Sequence, residues 1–424
     1  MITVGLDFGT HQTKVCVEKR NGIETHYDFH QFEDLSGNKQ YTLPSIICIT
    51  TDNKVKYGYI DPKTTGEFKS YFKQAVYRDS DSSYMTLWDA ARFSIWYIAY
   101  ILFDLEVIYG EDFIIQMGVP TDSHRIDDRK AIAVSLVASA YKLVDKVFNK
   151  NKKDFLNTDY TKLCELTEIV RYSESIKKRN GVLVFPEAYA CLMPMIGRGK
   201  ISDGLNLVVD IGGGTTDISF FTIEKDENES IVTHPQVYDF FSISKGLNYL
   251  TNKDDVSSDS MAKSVHIINQ KEIVKNRLEV YCQEIMNICK HLKENLTSEY
   301  KLQTKLKDFR LKDALKNRPI IYTGGGSTVG KLKKSYEGFC EIHQISYDSW
   351  KSKQFDDQSV FTDPSLCPIL STAYGLSISV KNDNIVKKPF RDIFAKIRGY
   401  EEDSQSKGNR YETFDYGTDY DACK

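Results

Sequence analysis

The nine cysteines (16, 48, 164, 191, 282, 289, 340, 367 and 423) contain no CxxC pair and no other metal-ligand spacing. That excludes a zinc ribbon and a disulfide-stapled scaffold, and it is the usage expected of reduced thiols in a cytoplasmic protein. An excess of one charge is lacking too. The 56 Lys and Arg against 59 Asp and Glu leave −3 and a pI near 6.3, so no basic face advertises nucleic acid. The chain enters an apolar strand at once, without a basic n-region and an apolar h-region, and no export signal is expected. Nor is there a run long enough for a membrane. The stretch Ser94 to Phe103, inside "FSIWYIAYILFDLEVIYG", is about half of the ~20 residues that a bilayer needs, and Asp104 and Glu106 follow it. A buried core helix is predicted there instead.

What is present is ordinary for a globular protein: 41% hydrophobic and 27% charged residues over 424 positions, enough for two or three lobes. Residues 1–18 read as a β-hairpin with Gly9 and Thr10 at the turn. Residues 43–60 read as further strands, 84–109 as a long helix, 113–121 as a buried strand and 127–148 as a helix. The polar stretch 149–161 reads as a loop or insertion. The strand 181–185 leads into "PEAYACLMPMI", a helix with Pro186 and Glu187 in its first turn. A second hairpin is predicted over 205–223, a long helical region over 264–315, a strand before "TGGGSTVGKL", and a last helix near 367–380. Strands and helices alternate throughout, so the class is α/β. Residues 399–424 carry seven acidic and three basic residues and four tyrosines, and read as a flexible acidic tail.

The chemistry concentrates in a device written twice. "ITVGLDFGTHQTKVCVE" and "LVVDIGGGTTDISFF" are both an apolar strand, Asp, glycine and threonine, then a strand. Glycines at such a turn let backbone N–H groups approach an anion, because no Cβ intervenes. A carboxylate at the strand end, Asp7 and Asp210, repels phosphate unless Mg²⁺ and its waters lie between them. Two hairpins on opposing lobes would grip one polyphosphate from both sides. Either hairpin alone would read as a plain turn. A third cluster, "GGSTVGK" from Gly325, satisfies most of a P-loop, but Leu332 stands where the Mg²⁺-ligating hydroxyl belongs. A Gly-rich turn lying against an adenosine is the other reading.

In this order the motifs resemble the ATPase superfamily of actin, heat-shock chaperones and sugar kinases, and most of all the nucleotide-binding domain of DnaK-type chaperones. "YTLPSIICI", "FIIQMGVPTDSHRIDDRKAI", "NICKHLKENLT", "TGGGSTVGKL" and "PILSTAYGLSI" carry the likeness over residues 2–382. The resemblance implies two lobes, each on a mixed five-stranded sheet. Lobe I would span 1–204, with a closing helix at 367–382 returning to it, and lobe II 205–366. It implies slow hydrolysis of ATP to ADP in a cleft with Mg²⁺. Gly9, Thr10 and Thr13 would form the first phosphate loop, and Gly212, Gly213, Gly214 and Thr215 the second. Asp7 and Asp210 would hold hydrated Mg²⁺, and Asp217 would orient the attacking water. Lys293 and Thr297 would meet the base and ribose, with Gly324, Gly325 and Gly326 along the adenosine. Lys73 in "YFKQAVYRD" is the candidate phosphate lysine.

The pattern also departs from the chaperones. They place a Glu before the Pro of the connecting helix, where this chain has Phe185, and the acid comes after it as Glu187. Plasmid-segregating bacterial actins share that Pro-Glu, and Glu187 is expected to activate water, its other reading being a helix-dipole acid. His11 and Gln12 replace small hydroxyl residues, and Glu294 replaces an adenine-stacking Arg. The residues after 382 are too few for a peptide-binding domain. The expected output is a nucleotide switch acting on protein partners, the alternatives being an actin-like self-assembling filament and a small-molecule kinase.

Overall fold

A computed structural model of the chain describes residues 1–77, 85–110, 112–120, 125–171, 181–196, 204–224, 234–243, 245–250, 276–288, 320–328, 342–344, 350 and 354–380. Lys293, Thr297, Gly330, Lys331, the acidic tail and most of the predicted helical region 264–315 lie outside them.

The first hairpin is β1 (Ile2–Asp7) and β2 (Gln12–Asn21), paired antiparallel with Asp7 opposite Lys14. β3 (Glu24–Phe29) extends it antiparallel, while β4 (Phe113–Val119) and β5 (Val182–Pro186) add in parallel beyond β1. The order is β3-β2-β1-β4-β5. β1 and β4 are buried along nearly their whole length rather than on alternate residues, as expected where both faces of a sheet are covered. The second hairpin, β6 (Gly204–Ile211) and β7 (Thr216–Glu224), is extended by β8 (His234–Ile243) on one side and by β9 (Ile320–Thr323) and β10 (Ile342–Gln344) on the other. Its order, β8-β7-β6-β9-β10, repeats the first strand for strand, with the same relative directions. The chain adopts the expected α/β class, with two mixed sheets that share one strand order. One detail differs: the first sheet has seven strands, because Leu43–Pro44 pairs with β2 and Gln354–Phe355 with β3. Trp350 and Phe355 pack with Tyr27 and Phe29, so the chain has returned to the first sheet before residue 366.

The apolar run becomes the helix Leu87–Tyr109. Thr86 caps it, its Oγ1 accepting from Asp89 N at 3.0 Å, and Gly110 ends it at φ 82°. Phe93, Ile95, Trp96, Ile98, Ile101, Leu102 and Phe103 are at most 2% exposed, so this stretch is a core helix, and only the last turn, with Val107 and Ile108, opens to solvent. No helix among the described residues is long and apolar enough to cross a membrane. The stretch 149–161, expected as a loop, instead contains the helix Lys152–Asn157 and the start of Tyr160–Arg171. Asn151 caps the first through Asp154 N. Phe155 inserts among Tyr57, Phe103 and Phe148 with ring centroids 5.1–5.3 Å away. One buried aromatic outweighs the polar composition around it.

The helix Leu366–Ser377 closes the fold. It crosses β1 and β2 and meets the short helix Glu187–Ala190 at Gly375, where a Cβ would stand 1.6 Å from Ala190 O. Its first turn holds the other lobe, since Pro368 O accepts from Gly324 N and from Thr323 Oγ1. Gly375→Ala would gain about 1 kcal/mol of helix propensity. Overpacking against a backbone carbonyl costs about 1–3 kcal/mol or more, so the variant should melt below the wild type. A thermal melt at or above wild type would show that this crossing is loosely packed.

Candidate functional site

Each hairpin bends within four residues. In the first, Gly9 N donates to Asp7 O at 3.0 Å, and a Cβ on Gly9 would stand 2.1 Å from Gln12 O. In the second, Gly212 N donates to Thr215 O at 2.9 Å, and Thr215 Oγ1 donates to Asp217 Oδ2 at 3.3 Å. The two bends meet. A Cβ on Gly214 would lie 2.7 Å from Thr10 Cγ2, and one on Gly213 would lie 2.5 Å from His11 Cγ. Only glycines allow the hairpins this close. The third turn joins them: Gly324 adopts φ 78°, and a Cβ there would stand 2.3 Å from Asp210 Oδ1, while one on Gly326 would strike Ile211. Gly325 opens the 3₁₀ turn beyond it. Thr13 does something else: its fully buried hydroxyl pairs with Ser45 Oγ at 3.1 Å and fastens the 43–45 segment to β2.

Asp7, Asp210, Asp217 and Glu187 all end up buried at this seam, each less than a tenth exposed. Two lysines answer them. Lys14 Nζ lies 2.7 Å from Asp7 Oδ2, and Lys73 is ion-paired to Glu187. Phe8 fixes the second arrangement, because its ring packs on Phe72 and Tyr97 at 5.9 Å and so draws Lys73 toward the end of β1. Next along the same short helix, Gln74 Nε2 donates to Gly214 O at 3.4 Å. Sequence reasoning missed Lys14 and Gln74. Lys14 was findable, since cross-strand register puts it opposite Asp7.

Four carboxylates outnumber the two lysines described beside them, and the titration of the groups reflects it. Burial pushes the Glu187 carboxyl up to about 7; Lys73 pulls it down, and Asp7 and Asp217 raise it again. Burial holds Asp210 well above the usual carboxylate range, reinforced by Glu187, Asp217 and Asp7, with Lys14 opposing. Burial would drain the charge from Lys73, but Glu187, Asp7 and Asp217 outweigh it and hold the ammonium above the ordinary lysine value. Asp210 faces Asp217 directly across the hairpin, a like-charged pair that is unfavourable unless a cation attends it. These residues therefore fit a divalent cation held through water. Among the described residues no three His, Cys, Asp or Glu side chains are grouped to ligate a metal directly.

No protein-family model and no curated protein matches the chain. Among solved structures it is similar to the MamK double helical filament, with a TM-score of 0.46 and 13% identity over 89% of this chain and 97% of that one. It is similar also to MreB 5 of Spiroplasma citri bound to AMPPNP, with a TM-score of 0.42 and 13% identity over 95% and 98%.

Replacing Lys73 tests the electrostatic account. With Lys73 in place Glu187 takes up a proton near pH 7; in the Lys73→Met variant, without the ammonium that lowers it, Glu187 holds its proton to higher pH and below pH about 7 buries neutrally. Above it, the variant must bury a lone carboxylate or hold a proton against the solution. Breaking a buried pair from one side costs about 3–5 kcal/mol, so denaturant unfolding should show a larger loss at pH 8.5 than at pH 6. Equal losses at both would mean that Glu187 does not depend on Lys73.

Proposed function

We propose that the chain is an Mg-ATP-binding, slowly hydrolysing ATPase of the actin-like kind, with the phosphate chain held between the two hairpins and with nucleotide-dependent self-assembly as its output. The observation that supports it most is the meeting of two duplicated Asp-Gly-Thr bends in a seam where carboxylates outnumber the lysines described beside them. Bound Mg²⁺ would supply charge neutralisation of the phosphate oxygens, with Asp7 and Asp210 reaching it through water. Backbone N–H groups of Thr10, Gly213 and Gly214 are the donors for the phosphates, in bends closed by the Gly9 and Gly212 N–H groups. Glu187, ionising near neutral pH, is poised to accept a proton from an attacking water, and Asp217 to orient that water. Lys73 keeps Glu187 ionised and in place.

The chaperone-type switch expected from the sequence resemblance draws no support from the site. The residue before Pro186 is Phe185, whose ring packs on Tyr189 at 5.8 Å in a cluster with Ala190 and Leu376. It offers phosphate nothing. The acid near Lys73, Asp7 and Asp217 is the one after the proline, the Pro-Glu arrangement shared with bacterial actins, and this favours self-assembly. The four carboxylates of the seam all have roles in the nucleotide reading, so the kinase reading gains nothing from them.

Calorimetry of the purified chain with ATP and Mg²⁺ should show binding, and Asp210→Asn should weaken it. Glu187→Gln should spare binding and cut turnover about 10²–10⁴-fold. Unchanged turnover would return Glu187 to a structural role. Sedimentation with and without ATP tests the output: material that stays in the supernatant under both conditions at every concentration would remove self-assembly.

A further inference from the structure

His11 sits at the tip of the first hairpin, and its ring lies in the seam rather than in solvent. One face rests on Gly213 of the second hairpin, where a Cβ would stand 2.5–2.7 Å from Cγ, Cδ2 and Nδ1. The edge of the Tyr71 ring closes another side, with centroids 5.9 Å apart at 78°. Tyr71 is held at φ 61°, a left-handed conformation uncommon for a bulky residue. The residue keeps some exposed surface, yet its Nε2 is enclosed and has no hydrogen-bond partner. Among the described residues of the two bends it is the only enclosed side-chain nitrogen or oxygen so placed.

The charges around it differ between the two hairpins. Beside His11, Lys14 already balances Asp7. Across the seam, Asp210 faces Asp217. An anion is therefore better tolerated on the first hairpin and a cation on the second. The imidazole itself is neutral: burial, then Lys14, lowers it to about 4. A neutral ring can donate an uncharged N–H to a phosphate oxygen.

Building on the nucleotide reading above, we infer that His11 is the phosphate-contacting side chain of the first hairpin, its ring leaving Gly213 so that Nε2 binds an oxygen beyond the α-phosphate. Adenine nucleotides with two or three phosphates are the ligands it distinguishes. The orphaned nitrogen then gains the partner it lacks, and the small hydroxyl expected at this position is replaced by a longer donor.

Titration calorimetry with Mg²⁺ and ATP, ADP or AMP on wild type, His11→Ala and His11→Gln tests this, with circular dichroism confirming that each variant folds. His11→Ala should bind ATP about tenfold or more weakly while AMP binding is unchanged, as the loss of a hydrogen bond to a charged group requires. His11→Gln, which offers an N–H at similar reach, should recover most of the loss. ATP binding to His11→Ala as tight as wild type or tighter overturns the inference, because the ring is then a plug. An equal loss for AMP also overturns it, because the residue then acts on the fold. Wild type that takes up no adenine nucleotide removes the nucleotide reading and this inference together, whereas the first two outcomes leave that reading standing.

Discussion

Everything at the seam derives from burying four carboxylates beside two lysines. A buried carboxylate is costly unless something neutralises it, and the two lysines are committed to two members of the set. Lys14 serves Asp7 and Lys73 serves Glu187. Asp210 and Asp217 face each other, and the cation that opposes the charge on Asp210 is the same Lys14 that already holds Asp7. A hydrophobic core would not retain such an arrangement for stability, and the surplus is what the proposed magnesium-bound phosphate chain would answer. The close glycines reinforce the point. Gly213, Gly214 and Gly324 each leave no room for a Cβ, which brings backbone donors and carboxylates together in a volume too small for larger residues.

The duplication explains why one sheet order appears twice. A strand–bend–strand unit with two parallel strands beyond it places the end of β1, and equally of β6, at the same edge of its sheet. Face the two edges together and both aspartates converge. The copies have nonetheless diverged at the position opposite the aspartate, lysine in one and aspartate in the other. That single difference gives the seam a charge-balanced side and an anionic side, which a symmetric pair of hairpins could not have.

Much of this was legible in the sequence because it depends on local chemistry. Glycine after a strand-end aspartate, a Pro-Glu helix start and an apolar run too short for a bilayer can each be read without a partner. The strand β10 was not singled out, because its pairing depends on a neighbour that sequence order does not disclose, and β8 was not singled out either; β3 was findable, since Gly22 at φ 61° opens a two-residue turn from β2. Gln354–Phe355 joins the first sheet from more than 300 residues away through Tyr27, Phe29, Trp350 and Tyr374, and no periodicity in two residues could announce it. The helix at Lys152–Asn157 was hidden for another reason: polar residues surround its single buried anchor, Phe155, although the Asn151–Asp154 cap was there to be read. Lys73 was visible only as one lysine among many, and Phe8 stacked on Phe72 is what singles it out.

The short helix Phe72–Val76 is where these threads become a mechanism. Lys73 points back to Glu187 in its own lobe, and the adjacent Gln74 reaches Gly214 O in the other. Tyr71, just before it, carries the edge contact to His11. A phosphate needs space between Gly213 and His11 that the touching bends do not leave, so seating one means parting the hairpins. That displacement pulls on Gln74 and frees Tyr71, both one or two residues from the lysine that tunes Glu187. On the proposed reading, phosphate entry would thus be coupled to the ionisation of Glu187 through one and a half turns of helix, without any long-range path.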